Sequence, residues 1–402
     1  MTRRIAVVGA GMAAARFAER FHALGGDAEV TLYGAEPCDP YNRALLADVL
    51  TGRYAADDLA LLSGDARLRT GRAVTAIDTV AHTLQPEDGT EVPYDELVLA
   101  TGAEPVVPQG AGGPPRRGVH VLRTAADSRA LAEEAARARR AVVVGGGVLG
   151  VSVARALAAR GAARKDAPAP SVTLLHNGPH LVERHLDEQA GTLLQHRLAG
   201  LGVTVRAGSR VRSLAGTDRV TAVETDDGEA LDADLVVLAC GAAPRTALAR
   251  AAGLPVRTGI VVDDRLSCAP GVYAIGDCAE HRGLTHGTAG AAWEQADLLA
   301  ARLSGARPDA RYAGSRPYAR LTAGPLEYAA FGEQGPGDGL DVLRLADATR
   351  GSYKKLVLRG DRIAGGILLG DLATVGLLTR AYERDEPVPA DPFHLLTTRG
   401  AF

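Results

Sequence analysis

Two glycine-rich turns, 136 residues apart, restrict this chain more than any other feature of its sequence. Gly9-Ala-Gly11-Met12-Ala13-Ala14 follows the β-branched run Arg4-Ile-Ala-Val-Val8 and leads into a helical stretch, Ala15 to Leu24. Gly145-Gly-Gly147-Val148-Leu149-Gly150 follows Ala141-Val-Val-Val144 and leads into a helix through Ala159. Each reads as buried strand, tight turn, helix. The first glycine of such a turn permits the reversal, and the second lets the backbone approach a pyrophosphate. The small third residue lets helix and strand pack closely, while the helix N-terminus faces the anion. A second strand, Glu29 to Tyr33, ends near Glu36, 27 residues after Gly9, where a carboxylate can accept hydrogen bonds from a ribose diol.

One glycine-rich turn alone is also what an ordinary strand-to-helix connection without a ligand looks like. A second repeat argues against that simpler reading. Leu99-Ala100-Thr101-Gly102-Ala-Glu-Pro105 returns as Leu238-Ala-Cys-Gly241-Ala-Ala-Pro244, an offset of 139 residues, close to that of the turns. Two domains of common plan produce such a pattern. Two dinucleotide sites suggest a flavin beside a nicotinamide, since hydride transfer needs the two rings in contact.

The remaining composition excludes several classes. At ~150 residues per domain, 402 residues suggest two or three domains. Lys+Arg 45 against Asp+Glu 48, with 4% aromatics, leaves no basic excess or aromatic interleaving for nucleic acid. Cys38, Cys240, Cys268 and Cys278 form no Cys-x-x-Cys pair, which argues against a disulfide framework, a thiolate zinc site or an iron–sulfur cluster held by this chain, and fits a reducing cytoplasm. His281 and His286 lack a suitable third ligand, so no metal site is expected. Arg3-Arg4 and the apolar run after them imitate an export signal, but Gly9 and Gly11 interrupt it and Arg16, Glu19 and Arg20 follow directly. No apolar stretch reaches the ~20 residues needed to span a membrane. No Gly-x-Ser-x-Gly elbow supports acyl transfer.

Several further segments carry a resemblance. They are Glu36-Pro-Cys-Asp-Pro-Tyr-Asn-Arg43-Ala-Leu-Leu46, His120-Val-Leu-Arg123-Thr124, Leu181-Val-Glu-Arg-His-Leu-Asp187, Gly271-Val-Tyr-Ala-Ile-Gly276-Asp277-Cys-Ala279, Trp293-Glu294-Gln-Ala296 and Tyr353-Lys-Lys-Leu356. Together with the two turns they resemble the pyridine-nucleotide-disulfide oxidoreductase superfamily along nearly all of the chain. The nearest branches are the flavin portion of the NADH-dependent nitrite reductase large subunit and the rubredoxin and ferredoxin reductases. The resemblance implies an α/β fold of two Rossmann-like, glutathione-reductase-like domains plus a small α+β C-terminal domain. Residues 1–115 and 240–310 would bind FAD, 116–239 NAD(P)H, and 311–402 would form an interface domain supporting a homodimer. Leu356-Val-Leu358 and Ile363 to Leu369 read independently as a hairpin around Arg359-Gly-Asp-Arg362. Residues 162–170 read as a surface insertion.

For FAD the resemblance implies Gly9, Gly11, Met12, Ala13 and Ala14 at the turn, then Glu36, Arg43 and Val74. It adds Ala100, Thr101 and Gly102 from the first copy of the repeat, Arg123, Gly276 and Asp277, with Asp277 at a ribityl hydroxyl. Trp293, Glu294 and Ala296 follow beside the flavin. Asp277 also reads plainly as a helix cap, and Trp293 as core. For NAD(P)H it implies Gly145, Gly147, Val148, Leu149, Gly150, His176 and Gly241. His176-Asn177 stand where an acid would bind the ribose diol, so neither NADH nor NADPH is enforced.

The departures matter equally. Disulfide reductases of the superfamily carry Cys-x4-Cys after the ribose acid, but Tyr41 to Leu50 contain no cysteine, and Cys38 lies too early and reads as an ordinary thiol. No siroheme or small iron–sulfur domain is expected in this chain. Many relatives place a Lys and a Glu beside the reacting edge of the flavin. The corresponding positions here, Asp48 and Ser152, leave that ion pair missing and make these two residues flavin-proximal candidates. The expected activity is an FAD enzyme passing electrons from NAD(P)H to a separate acceptor, a small iron–sulfur or rubredoxin-type protein, with the flavin rather than a side chain carrying the chemistry. Two alternatives are direct reduction of a small molecule (oxygen, a quinone or a biosynthetic intermediate) and a redox-responsive flavin-binding module with slow turnover.

Overall fold

After its first residue, the run Arg4–Val8 is apolar on both faces, and such a strand is stable only with both faces covered. It lies inside a six-stranded sheet ordered Ser267–Ala269, Val272–Ala274, Glu96–Leu99, Arg4–Val8, Glu29–Tyr33, Arg67–Arg69, parallel except at the first pair. Helix Met12–Ala23 packs Phe17 and Phe21 into the same core as Ile5, Val7, Leu97 and Leu99. The structure is a computed structural model that describes residues 2–113, 116–162, 170–335 and 337–397. The insertion expected over 162–170 falls almost entirely outside the described residues.

The chain divides into two compact units, each described by itself. The first comprises Met1–Leu46, Tyr54–Pro105 and Ala242–Ser315 and contains the six-stranded sheet; the second comprises Ala47–Arg53, Val106–Gly241 and Arg316–Phe402. Within the first unit the two copies of the repeat meet: Ala103–Pro105 and Ala242–Pro244 pair as an antiparallel ribbon, and Thr101 Oγ1 donates to Arg245 O at 2.8 Å.

The second unit repeats the plan of the first. Arg140–Val144 lies between Ser171–Leu175 and Leu235–Leu238 in a five-stranded parallel sheet completed by Val203–Arg206 and Val119–Val121. Its C-terminal portion is an antiparallel sheet ordered Tyr318–Ala323, Leu326–Gly332, Arg362–Leu369, Ser352–Arg359, Asp341–Asp347. The hairpin turns between Arg359 and Arg362, as their cross-strand pairing shows. Helix Val375–Arg384 covers this sheet through Val375 and Leu378.

Three segments that carry the resemblance help to hold this unit together. Asp187 caps helix Glu188–Gly200 by accepting from Ala190 N at 3.0 Å, and it also accepts from Tyr353 Oη at 2.7 Å and Lys355 Nζ at 2.9 Å. Burial alone would raise the Asp187 carboxyl, but these donors outweigh it and hold it below the usual carboxylate value. The neighbouring Lys354 Nζ meets Asp371 Oδ2 at 2.8 Å and Leu396 O at 3.1 Å. Thr124, ending the His120 segment, forms a capping box with Asp127 at the start of helix Ala125–Ala135.

Candidate functional site

The two glycine-rich turns are built alike, and their glycines serve different ends. Gly9 has φ +113° and Gly145 φ +110°, values that L side chains rarely adopt. A Cβ at Gly9 would lie 2.2 Å from Ala100 O, and one at Gly145 2.3 Å from Ala239 O, so both positions are closed by the adjacent strand end. Gly150 is closed as well, since a Cβ there would lie 1.7 Å from Gly145 O. Gly147 differs. It meets nothing within 4 Å and has no positive φ, so neither strain nor packing asks for glycine at that place. What remains is the space in front of the turn, at the N-terminus of helix Val148–Ala162, where Val148 and the 39%-exposed Leu149 begin the helix.

In the first unit Gly11 has one neighbour of consequence. A Cβ there would lie 3.7 Å from Arg43 Nε, so a guanidinium stands beside the turn where an anion is expected. Arg43 is held in place from below: its NH2 donates to Glu36 Oε1 at 2.7 Å and its guanidinium lies over the Tyr41 ring at 5.0 Å. Tyr41 Oη donates to the other oxygen, Glu36 Oε2, at 2.6 Å. Glu36 is thus oriented by two donors and remains partly exposed at the end of Glu29–Tyr33, as a ribose ligand needs. Met12 begins the helix, and Ala13 and Ala14 are buried against the sheet. Ala100 donates its N–H to Val8 O at 2.8 Å, and Gly102 accepts from Arg245 N at 2.9 Å. Val74 opens strand Val74–Asp78 and is half-buried.

Asp277 sits in the 3-10 turn Gly276–Cys278, which follows strand Val272–Ala274. That turn is fixed by a residue that motif reading passed over. Gln295, 1% exposed in helix Ala289–Leu303, accepts from Gly276 N at 2.7 Å and donates to Tyr312 Oη at 3.3 Å. On the same helix Ala296 is fully buried, Trp293 is 37% exposed, and Glu294 is exposed and accepts from Ser315 Oγ. Trp293 is therefore not a core residue of this unit.

The second unit places Arg123 beyond strand Val119–Val121, with its N–H donated to Asp127 Oδ2 at 2.9 Å. Gly241 follows strand Leu235–Leu238, has φ +104°, and accepts from Val106 N at 3.0 Å. His176, at the end of Ser171–Leu175, is buried, and its Nδ1 accepts from Gly146 N at 3.2 Å.

Asp48 does not lack a counter-charge: its Oδ1 lies 2.8 Å from Arg155 NH2, both side chains being less than a tenth exposed. Arg155 stands three positions beyond Ser152, nearly one helical turn along Val148–Ala162. Ser152 itself spends its hydroxyl on Val148 O at 2.8 Å. Asp48 is thus paired with a base on that helix, three positions beyond the one singled out from the sequence. A charged residue at i+3 on the same helix was the signal available in the sequence.

Cys240, Cys268 and Cys278 are free thiols. Burial pushes Cys240 up to about 11 and Cys268 up to about 12, and it raises Cys278 too, so none of these three is an activated thiolate. No helix among the described residues is long and apolar enough to cross a membrane.

Comparison with known proteins agrees with this geometry. Residues 3–296 match the family described as pyridine nucleotide-disulphide oxidoreductase, and residues 317–385 match the rubredoxin NAD+ reductase C-terminal domain. The chain is 35% identical over 377 residues to a nitrite reductase [NAD(P)H] of Bacillus subtilis, covering 92% of this chain and 46% of that protein. It is 33% identical over 291 residues to a nitric oxide reductase FlRd-NAD(+) reductase of Citrobacter koseri, covering 70% of this chain and 74% of that one. A ferredoxin reductase from Rhodopseudomonas palustris superposes with a TM-score of 0.85 at 26% identity, covering 99% of this chain and all of that one. The chain spans about half the length of the nitrite reductase it matches. With the family matched over both glycine-rich turns and the segment Gly271 to Ala279, the chain belongs to the pyridine nucleotide-disulphide oxidoreductases, enzymes that use FAD and NAD(P)H.

Proposed function

We propose that this chain carries electrons from NAD(P)H through FAD to a separate small iron–sulfur or rubredoxin-type protein. The observation that carries the reading is the pair of matched turns, one in each unit, with Gly147 facing open space that no packing explains. In this reading residues 1–115 and 240–310 bind FAD, 116–239 bind the nicotinamide dinucleotide, and 311–402 form the interface domain. The residues of the first unit fit FAD: Glu36 is oriented for a ribose diol, Arg43 offers a cation beside Gly11, and the turn carrying Asp277 is fixed by Gln295. When bound, the flavin accepts two electrons together and releases them singly, which no side chain can do. The chain's own task is to hold both dinucleotides by turn amides and helix N-termini and to orient them.

A separate protein acceptor is supported by the C-terminal match to rubredoxin NAD+ reductases and by the likeness to reductases of ferredoxin and FlRd. The lack of a cysteine in Tyr41 to Leu50 weighs against internal dithiol chemistry. The test is anaerobic reduction of cytochrome c by NADH or NADPH, with and without added ferredoxin or rubredoxin. Rates that rise with the added protein support the reading. Equal rates without it, together with rapid NADH oxidation by a quinone or, in a separate aerobic assay, by oxygen, overturn it in favour of direct small-molecule reduction.

A further inference from the structure

In a βαβ nucleotide fold the second strand ends beside the adenosine ribose, where an acid accepts from the diol and repels a 2′-phosphate. At that place His176 does neither. Its Nδ1 accepts from Gly146 N, which leaves the ring proton on Nε2. Burial holds the ring below its usual value against the opposing pull of Glu183 and the His180 backbone, so the neutral ring acts as a brace for the turn. Its buried Nε2 has no hydrogen-bond partner among the described residues, and Glu183 Oε2 lies 4.0 Å from it.

The backbone takes trouble to bring Glu183 there. Val182, the residue before it, is buried with φ +55°, a left-handed conformation that is costly for a β-branched side chain. It is kept so by its N–H, which donates to Gly146 O at 2.9 Å. Gly146 therefore holds His176 through its N–H and Val182 through its carbonyl, tying both to the glycine-rich turn. Gly178 leaves the room that Glu183 fills, since a Cβ there would lie 2.0 Å from Glu183 Oε2 and 2.7 Å from His176 Nε2. The Glu183 side chain is 41% exposed and open to a ligand. Arg206, ending the adjacent strand, is bound by both oxygens of Glu229 at 2.7 and 2.9 Å, and so is engaged rather than offered to a phosphate.

We propose that Glu183 supplies the carboxylate that the strand end lacks, accepting from the adenosine ribose diol, and that the chain consequently selects NADH over NADPH. This rests on reading the second turn as the nicotinamide dinucleotide site. The exposed Arg184 next to Glu183 is the group that would favour the opposite choice.

The experiment is calorimetric titration of the FAD-loaded protein with ADP-ribose and with its 2′-phosphate, probes that cannot be oxidised or reduced by the flavin. Native protein is expected to bind the unphosphorylated probe at least about tenfold more tightly, and Glu183→Gln should bring the two affinities within about threefold. Steady-state KM values for NADH and NADPH should converge in parallel. Glu183 is exposed, so the variant should keep its flavin absorbance and circular dichroism. A native preference for the phosphorylated probe, or an unchanged ratio in Glu183→Gln, overturns the inference. Gly147→Val separates the two levels of the argument. If it binds both probes as tightly as native protein, the site reading fails; if it loses both, only the role of Glu183 remains under test.

Discussion

Replacing Asp48 by Leu strands a guanidinium inside the second unit, and the size of the effect tells whether the Asp48–Arg155 pair is buried as the structure has it. Both side chains are less than a tenth exposed, and the 2.8 Å contact uses NH2 of Arg155, whose Nε has no other partner among the described residues. Removing one member of such a pair leaves an uncompensated buried charge, at about 3–5 kcal/mol, whereas an exposed pair is worth about 0–1 kcal/mol. Against the roughly 5–15 kcal/mol that holds a domain folded, the first figure is a large share of the total. Arg155→Met should cost a similar amount by stranding the carboxylate. The double variant Asp48→Leu/Arg155→Met removes both charges and should return to within about 2 kcal/mol of native protein. Ser152→Ala is the control: its hydroxyl serves only its own helix, and its loss should cost no more than about 0.5 kcal/mol. Urea unfolding followed by far-UV circular dichroism measures these terms, with amide exchange across 47–53 locating the loss. Arg160 NH1 also reaches Leu50 O at 3.0 Å, so freeing this segment should expose its amides. Single variants costing less than about 1 kcal/mol, with an additive double, would mean that the pair is solvated rather than buried.

Other consequences follow from the same contacts. Gln295→Leu leaves the buried Gly276 N–H without its acceptor; a loss of about 1–3 kcal/mol in urea unfolding and weaker FAD retention by fluorescence are expected, and unchanged values for both would remove Gln295 from the site. The Asp187 carboxyl is held below its unfolded value of about 3.9, so its pairing with Tyr353 and Lys355 contributes above that pH and is lost as pH falls through the depressed value. The thermal midpoints of native protein and Asp187→Asn should therefore differ at pH 7 and converge towards pH 2; a constant gap contradicts this. At pH 8, iodoacetamide should modify Cys240, Cys268 and Cys278 only slowly in folded protein, as peptide mapping would show, and fast labelling of any of them would restore a reactive thiol to the account.

What the sequence made legible is what local pattern encodes. Strand, turn and helix follow from a β-branched run, glycines at fixed places and a small-residue helix, and the two copies match in detail: Gly9 N reaches Tyr33 O at 2.8 Å, and Gly145 N reaches Leu175 O at 2.7 Å. Repetition of Leu99 to Pro105 was visible too, but not that the two copies hydrogen-bond to each other, because pairing is a property of space rather than of pattern. Arg155 lies in an alanine-rich helix and reads as a solvated charge until the segment 47–53 is packed against it. Gln295 stands in its motif beside residues of more conspicuous chemistry, Trp293 and Glu294, yet its amide is the group that bonds the turn. The position of His176 at the strand end is legible in the sequence, but its role depends on which nitrogen Gly146 engages, and no spacing rule contains that.

If, as proposed, the first glycine-rich turn binds FAD and the second binds the nicotinamide dinucleotide, Gly147→Val should weaken only the second of these. Because a Cβ at Gly147 meets nothing within 4 Å and the backbone there needs no positive φ, the variant should fold unchanged and obstruct only the ligand. The measurement is anaerobic stopped-flow absorbance of the bound flavin on mixing with NADH, beside the FAD content of each protein. One FAD per chain is expected in both proteins, with flavin reduction at least about tenfold slower in the variant at limiting NADH. A variant that loses its FAD, or one that keeps FAD and is reduced at the native rate, would contradict that assignment of the two turns.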